Sequence, residues 1–254
     1  MEPPAPFPLA RMQSIASSLF NSEKHSDMTI ICKERRWHAH KAIVCPQSDF
    51  FDKACGPDFK EGKTGETVLE DDSDVIDAML KFMYEGRYIH TPVVKFAPAV
   101  FHVKVAAIGE KYFVNGLIQQ AAEFLKDTLA KQWHADAFMD AVDEWWTSCT
   151  DPDKLLSDQI VYTVAIRHVE LFAPGQERGR FRKFLDEKPW IAAEIAARLA
   201  RQDAPFIKAN LKTYSCTHGC GAKMRAILEA PYSFAYECSK CRQLAAVPRV
   251  GRRP

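Results

Sequence analysis

Apolar residues recur at helical spacing along most of the chain. Near the N-terminus, Leu9, Met12, Ile15 and Leu19 fall at intervals of three and four residues, which predicts a short amphipathic helix over residues 9–20. The same spacing predicts further helices over residues 48–54, 73–85, 96–109, 115–130, 135–149, 152–172 and 190–201. Helices are therefore expected to make up most of the structure.

Strand patterns occupy short stretches near the N-terminus. Runs rich in β-branched and aromatic residues predict strands over residues 28–32, 37–42 and 67–69, and a charged turn joins the first two. Ser73 or Asp74 is expected to cap the helix that follows the third strand. Because the strands come first and most helices follow, the expected fold class is α+β.

The composition is that of a globular protein. Of 254 residues, 47% are hydrophobic and 26% are charged, which excludes collagen-like, low-complexity and fully disordered chains. Residues 1–8 contain four prolines and are expected to form a disordered lead-in. No apolar run approaches the roughly 18–20 residues of a membrane-spanning helix, and the first residues lack the pattern of a secretory signal. We therefore expect an intracellular protein of the cytoplasm or nucleus, with no membrane partner.

Charge and cysteine content both change near residue 200. Residues 1–200 carry a net charge of −6 and residues 201–254 a net charge of +7, which together give the overall +1. Four cysteines are scattered over the first 150 residues, whereas the other four lie within the 26 residues from 216 to 241. An acidic body and a basic, cysteine-rich tail are therefore expected to form separate units.

Several short motifs follow one another between residues 26 and 125. They occupy residues 26–31, 37–44, 48–51, 59–61, 68–72, 79–88 and 103–117. In their order and residue types they resemble the BTB/POZ domain family, in which a strand hairpin leads into an Ala-His step, here ending at His40. A helix with a Ser and paired aromatics follows, here beginning at Ser48. The resemblance implies an α+β protein-interaction module, in which we expect His40 to be a structural, hydrogen-bonded residue.

The resemblance also implies that the N-terminal helix mediates dimerisation. BTB domains commonly form homodimers through such a helix, so Leu9, Met12, Ile15 and Leu19 are the expected interface residues. A symmetric contact between two copies would bury this apolar stripe. The alternative is that the helix packs only against its own domain.

A second protein site follows from the same resemblance. Many BTB proteins hold a cullin scaffold and recruit substrates to a ubiquitin ligase, using a hydrophobic-x-acidic step in the loop before the third strand. Residues 59–61 match this step in position and type, so Phe59 and Glu61 are the expected partner-binding residues. The alternative is that Phe59 covers the surface of its own domain.

The four clustered cysteines have the spacing of a zinc-binding unit. Three residues separate Cys216 from Cys220 and two separate Cys238 from Cys241, with seventeen residues between the pairs. Two such pairs can present four thiolates tetrahedrally to zinc at about 2.3 Å. The unit resembles a zinc ribbon, in which residues 226–228 and 232–236 are predicted to form a hairpin. With so little core, it is expected to depend on its metal.

Two alternatives to a four-cysteine zinc site remain open from the sequence. His218 lies inside the first cysteine pair and is an alternative ligand to one of the cysteines. A disulfide is the other alternative, although a reducing compartment disfavours it. Because four protein ligands leave no open position for water, we expect the zinc to be structural rather than catalytic.

The basic C-terminal region has two interpretations. Its cations can neutralise phosphates while its aromatic side chains stack on bases, which would give a nucleic-acid surface. These cations are Lys208, Lys212, Lys223, Arg225, Lys240, Arg242, Arg249, Arg252 and Arg253. The alternative, which we favour because there is no base-reading motif, is a solvated face on a protein-binding appendage.

No catalytic motif accompanies these features. The chain lacks a phosphate-binding loop, a nucleophile elbow and the paired histidines of zinc proteases. The sequence therefore predicts a non-enzymatic adaptor without a small-molecule substrate, and alternatively a nuclear regulator that binds nucleic acid. Its expected organisation is a lead-in (1–8), a BTB/POZ domain with the N-terminal helix (9–125), a helical extension (126–202), a connector (203–211), a zinc-binding ribbon (212–245) and a basic tail (246–254).

Overall fold

The computed structural model describes residues 9–91, 94–172, 176–200, 212–216, 218–221, 223–226, 235–237 and 240–246. The predicted lead-in, the connector and nearly all of the basic tail lie outside these residues. The chain divides into two compact units, Met1–Leu156 and Ser157–Pro254, which are described separately below.

A three-stranded sheet forms the start of the first unit. Strand β1 (Met28–Cys32) pairs antiparallel with β2 (Arg35–Ala39) and parallel with β3 (Glu66–Leu69), so that β1 lies in the centre. Alternate residues of β1 are buried, as expected for a sheet with one face on the core. The three predicted strands are confirmed. The second begins at Arg35 and ends at Ala39, so both of its ends lie earlier than predicted. It ends early because the chain turns into a helix at Lys41, whose backbone N–H donates to the Asp27 carboxylate at 2.7 Å.

Helices supply the rest of the first unit. Their bounds are α1 Leu9–Ser18, α2 Lys41–Val44, α3 Asp49–Ala54, α4 Lys60–Thr64, α5 Ser73–Glu85, α6 Pro98–Lys111, α7 Leu117–Lys131 and α8 Ala135–Ser148. Helix α6 is central and packs against α5, α7 and α8. Its inward residues, among them Phe101, Val103 and Val105, are buried. The α+β class expected for this part of the chain is confirmed, whereas the short helices α2 and α4 are additional to the prediction.

The cap of helix α5 differs from the prediction. The N-cap is Asp72, whose carboxylate accepts from the backbone N–H of Asp74 at 3.1 Å. Ser73 is already the first helical residue, so the prediction of a cap at Ser73 or Asp74 is wrong by one or two positions. Gly86 ends the helix with a φ of +71°, a conformation that glycine adopts without strain.

A buried hydrogen-bond chain fixes the loop after β2. The hydroxyl oxygen of Tyr84 accepts from the backbone N–H of His40 at 2.8 Å and lies 2.9 Å from Nδ1 of the same residue. The other ring nitrogen, Nε2, lies 2.8 Å from the carbonyl oxygen of Lys24. Because a carbonyl only accepts, Nε2 carries the proton and Nδ1 accepts from the Tyr84 hydroxyl. The structural role expected for His40 is confirmed, and burial raises the pKa of Tyr84 to about 12.

The second unit contains helices and short strand pairs. Helix α9 runs from Leu155 to Phe172, and α10 (Gln176–Glu187) packs against α11 (Pro189–Ala200). Helix α10 was not predicted, because its apolar positions are few. Strands β4 (Lys212–Ser215) and β5 (Lys223–Ala226) form one antiparallel pair, and β6 (Ala235–Glu237) and β7 (Leu244–Ala246) form another. In the described part of the chain, none of the helices has both the length and the apolar character needed to cross a membrane.

Candidate functional site

An apolar groove of about 320 Å³ lies beside β3, which is an edge strand of the sheet. Three large apolar side chains line it while remaining exposed: Phe59 is 51% exposed, Val68 66% and Phe113 62%. The remaining lining residues are Asp49, Phe50, Lys53, Ala54, Glu61 and Thr67. Exposed apolar side chains gathered around one groove are typical of a surface that binds another protein.

Phe59 is held at the groove by the loop that precedes β3. It is the N-cap residue of α4, with extended backbone, and its N–H donates to the carbonyl oxygen of Gly56 at 3.3 Å. Phe59, which the sequence predicts to bind a partner, is exposed at this position. With half of its surface open, the side chain is accessible to a partner, and its partner-binding role stays a prediction.

Gly62 allows α4 to lie directly against the turn that follows α3. A Cβ atom at this position would lie 1.9 Å from the carbonyl oxygen of Gly56 and 2.8 Å from that of Cys55. Only glycine fits so close an approach to backbone atoms. A five-residue helix is too short to be stable alone. This contact therefore contributes directly to the placement of Phe59 and Glu61, which both precede Gly62.

Phe113 reaches the groove from the end of α6. Its N–H donates to the carbonyl of Glu110 at 3.2 Å, and the N–H of Val114 donates to that of Gly109 at 2.9 Å. These two bonds form a Schellman motif, whose left-handed position is usually glycine. Here it is Phe113, with a φ of +52°. A side chain in this conformation costs about 1–2 kcal/mol relative to ordinary backbone.

The residues beside Phe113 are held in place by the start of α3. The Ser48 hydroxyl donates to the carbonyl oxygen of Tyr112 at 2.5 Å, and the N–H of Asn115 donates to that of Gln47 at 3.3 Å. The Tyr112 hydroxyl donates to the carboxylate of Asp71, and burial together with this bond raises the pKa of Tyr112. Phe113 is therefore displayed from a fixed backbone.

Glu61 adds a charge to this apolar surface. It is half-buried and, within the residues that the structure describes, its carboxylate has no ion-pair partner. The predicted pair, Phe59 and Glu61, thus lines one groove. Sequence reasoning missed Val68 and Phe113, which belong to separate elements. Alternation along the strand could have identified Val68. Successive side chains of a strand point to opposite faces, so Val68 lies on the face opposite the buried Thr67 and Leu69.

The N-terminal helix packs on its own domain and also leaves apolar surface open. Helix α1 contacts α5, and just after it the ring of Phe20 packs edge-on against Tyr84 with 5.8 Å between centroids. Ile15 is nevertheless 52% exposed, and Leu19 is half-buried. The dimer interface expected at Leu9, Met12, Ile15 and Leu19 stays a prediction.

Three of the four clustered cysteines come together in the second unit. The sulfur atoms of Cys216, Cys220 and Cys241 all lie within 4.8 Å of one another, and those of Cys216 and Cys241 are 3.7 Å apart. In a tetrahedral site with zinc–sulfur bonds of about 2.3 Å, neighbouring sulfurs lie about 3.8 Å apart. None of the three forms a disulfide with another described cysteine. His218 is exposed and is not part of this cluster.

The three described cysteines lie at hairpin turns. Cys216 and Cys220 lie between β4 and β5, and Cys241 lies between β6 and β7. The residue after the second cysteine has positive φ in both turns, +75° at Gly221 and +55° at Arg242. Cys238 lies outside the described residues, but it directly follows β6 as Cys216 follows β4.

The strand pairing within this unit corrects the sequence prediction. A hairpin between residues 226–228 and 232–236 is wrong for the residues described, because Ala226 pairs with Lys212 and Ala235 with Ala246. The remaining residues of that predicted hairpin, 227–228 and 232–234, lie outside the described residues. Chain reversal at the closely spaced cysteines brings neighbouring strands together before more distant ones.

Comparison with known proteins supports the family suggested by the motifs. Residues 16–129 match the family model of the BTB/POZ domain. Protein germ cell-less of Drosophila melanogaster is 25% identical over 127 residues, a match that covers 49% of this chain and only 21% of that relative. The solved structure of the BTB domain of human gigaxonin covers 49% of this chain and 98% of its own, with 14% identity and a TM-score of 0.36.

Proposed function

Because residues 16–129 form a BTB/POZ domain, a protein-interaction module, we propose that this protein is a non-enzymatic adaptor that binds a cullin ubiquitin-ligase scaffold. The binding surface is the groove lined by Phe59, Glu61, Val68 and Phe113. One observation carries this proposal: an exposed Phe59 and a Glu61 without an ion-pair partner in the described chain line the same groove.

The chemistry of the groove defines the partner segment that fits it. Apolar side chains of the partner fill the space between Phe59, Val68 and Phe113, and a basic side chain of the partner pairs with Glu61. An amphipathic helix presents both kinds of side chain on one face, and helix-in-groove binding relies on such anchors. Interface energy is concentrated in a few large apolar anchors of this kind.

Binding of a purified cullin scaffold to the full-length chain tests the proposal. Wild type is expected to bind, and both Phe59→Ala and Glu61→Lys are expected to weaken binding about ten-fold or more. Lys63→Ala is the matched control, since Lys63 is exposed on the same helix α4 and does not line the groove. Equal binding by all four proteins would contradict the proposed contact.

We further propose that the protein is a homodimer formed through helix α1. The support is the exposure of the apolar residue Ile15 on a helix that contacts α5. Ile15→Asp is expected to convert the dimer to a monomer in sedimentation or light-scattering measurements, while the unfolding temperature of the domain changes little. A wild-type monomer at micromolar concentration would refute this assignment.

The cysteine cluster is proposed to hold one structural zinc ion through Cys216, Cys220, Cys238 and Cys241. Its support is the sulfur geometry of the three described ligands and the matching position of the fourth after its strand. Metal analysis is expected to find one zinc per chain, lost in Cys238→Ser and retained in His218→Ala. Zinc retained in Cys238→Ser and lost in His218→Ala would instead assign the fourth ligand to His218.

Nucleic-acid binding is the second candidate function. Its support is the exposure of Lys223, Lys240 and Arg242 around the cysteine cluster, in a region with a net charge of +7. Phosphate binding by these cations predicts an affinity that falls steeply with salt. Absence of binding by the full-length protein to DNA and RNA at low salt would remove this candidate and its nuclear regulatory role.

A further inference from the structure

We propose that Phe113 is a second anchor of the cullin-binding groove and is retained in a strained conformation for that purpose. The inference rests on the proposed function, which assigned the groove to a cullin from Phe59 and Glu61. It adds a residue on a different element, outside the motif that suggested the site.

The backbone at Phe113 provides the first argument. The residue occupies the left-handed position of the Schellman motif that ends α6, with a φ of +52°. Glycine is the residue favoured there, and a bulky side chain is an outlier. Strained positions cluster at functional sites, where the surrounding structure holds them in place. Here the bonds from Ser48 to Tyr112 and from Asn115 to Gln47 hold the backbone on both sides of Phe113.

The exposure of the ring provides the second argument. A Phe side chain retained for folding would be buried, as its neighbours Tyr112 and Val114 are, but Phe113 is 62% exposed. Its ring therefore contributes little to the core while its backbone is strained. Neither the strain nor the exposure of the ring is expected to stabilise the isolated domain.

The position of the Phe113 ring in the groove provides the third argument. Phe113 lines the same groove as Phe59 and Val68, although the three come from the end of α6, the start of α4 and strand β3. A partner helix that covers Phe59 and Val68 also covers Phe113. In the free protein the exposed ring gains little free energy from burial. When a partner covers the ring, removal of its apolar surface from water favours binding.

A pair of substitutions separates a binding role from a folding role. Phe113→Gly removes the ring and also relieves the strain, so its unfolding temperature is expected to equal or exceed that of wild type. Phe113→Ala removes the ring and keeps the strain. Both variants are expected to bind purified cullin scaffold about ten-fold or more weakly than wild type.

Lys33→Gly provides the matched control. Lys33 also has positive φ, +53°, and does not line the groove. This variant also loses an exposed ion pair with Asp72, 3.6 Å long, which contributes little to stability. It is expected to gain a similar relief of strain to Phe113→Gly while binding the cullin like wild type.

The outcomes distinguish the role of Phe113 from the proposed binding of a cullin. Wild type that binds, with Phe113→Gly binding equally well, overturns the role of Phe113 and leaves the proposed function standing. A clear fall in the unfolding temperature of Phe113→Gly also overturns it, because the ring would then serve the fold. Wild type that does not bind overturns the proposed function and this inference together.

Discussion

Acidification from pH 7.5 to pH 5 is expected to destabilise the BTB/POZ domain by about 2 kcal/mol through His102 alone. His102 lies on α6 with only 5% of its surface exposed, and its Nδ1 atom is 3.0 Å from the hydroxyl of Tyr88. Burial, and secondarily the nearby charge of His90, lower the pKa of His102 from 6.5 to about 4. Asp127 and Lys131, an ion pair, line the same cavity beside Tyr88 and His90.

The direction of this pH effect follows from the protonation of His102 in the folded and unfolded states. Below pH 6.5 the unfolded chain takes up a proton at His102, while the folded protein does so only near pH 4. Stability is therefore intact above pH 6.5 and is lost progressively as the pH falls towards 4. At about 1.4 kcal/mol per unit of pKa difference, the full loss is about 3 kcal/mol, of which about 2 kcal/mol has occurred by pH 5.

Urea unfolding at several pH values measures this loss. His102→Asn keeps a hydrogen-bonding group near the position of Nδ1 and cannot titrate, so it controls for the acidic residues that also respond below pH 5. The free energy of unfolding of wild type is expected to fall more steeply than that of the variant between pH 6.5 and pH 5. Parallel curves for the two proteins would refute the reasoning.

Three further results are expected from the described contacts. Tyr84→Phe leaves the N–H and Nδ1 of His40 without their partner and should lower the free energy of unfolding by about 1–3 kcal/mol in the same urea assay. Gly62→Ala should speed hydrogen exchange across residues 59–65 and weaken cullin binding, whereas Lys60→Ala, exposed on the same helix, should change neither. Cys220→Ser should release zinc, and Cys55→Ser should not; retention of zinc by Cys220→Ser would exclude Cys220 as a ligand.

The sheet and the long helices were predictable because burial imposes a period on the sequence. Alternate residues of β1 face the core, and α5 has its buried residues on one face. Shorter elements depend on contacts that no periodicity encodes. Helix α4 is five residues long and depends on the approach of Gly62 to Gly56, which becomes visible only in three dimensions.

The candidate groove was half predictable for a similar reason. Phe59 and Glu61 are two residues apart and could be identified from a local motif. Val68 and Phe113 join them only through the fold, and neither exposure nor positive φ at Phe113 can be read from its neighbours. The same limit applies to the cysteines, whose spacing indicated a cluster but not which strands would pair around it.

The most direct test of the adaptor function is affinity purification of the tagged full-length protein from its native cells, followed by mass spectrometry. Wild type, Phe59→Ala and Lys63→Ala are compared at equal expression. The account predicts that a cullin is recovered with wild type and with Lys63→Ala and is lost with Phe59→Ala. Absence of a cullin from the wild-type sample, or equal recovery with Phe59→Ala, would contradict it.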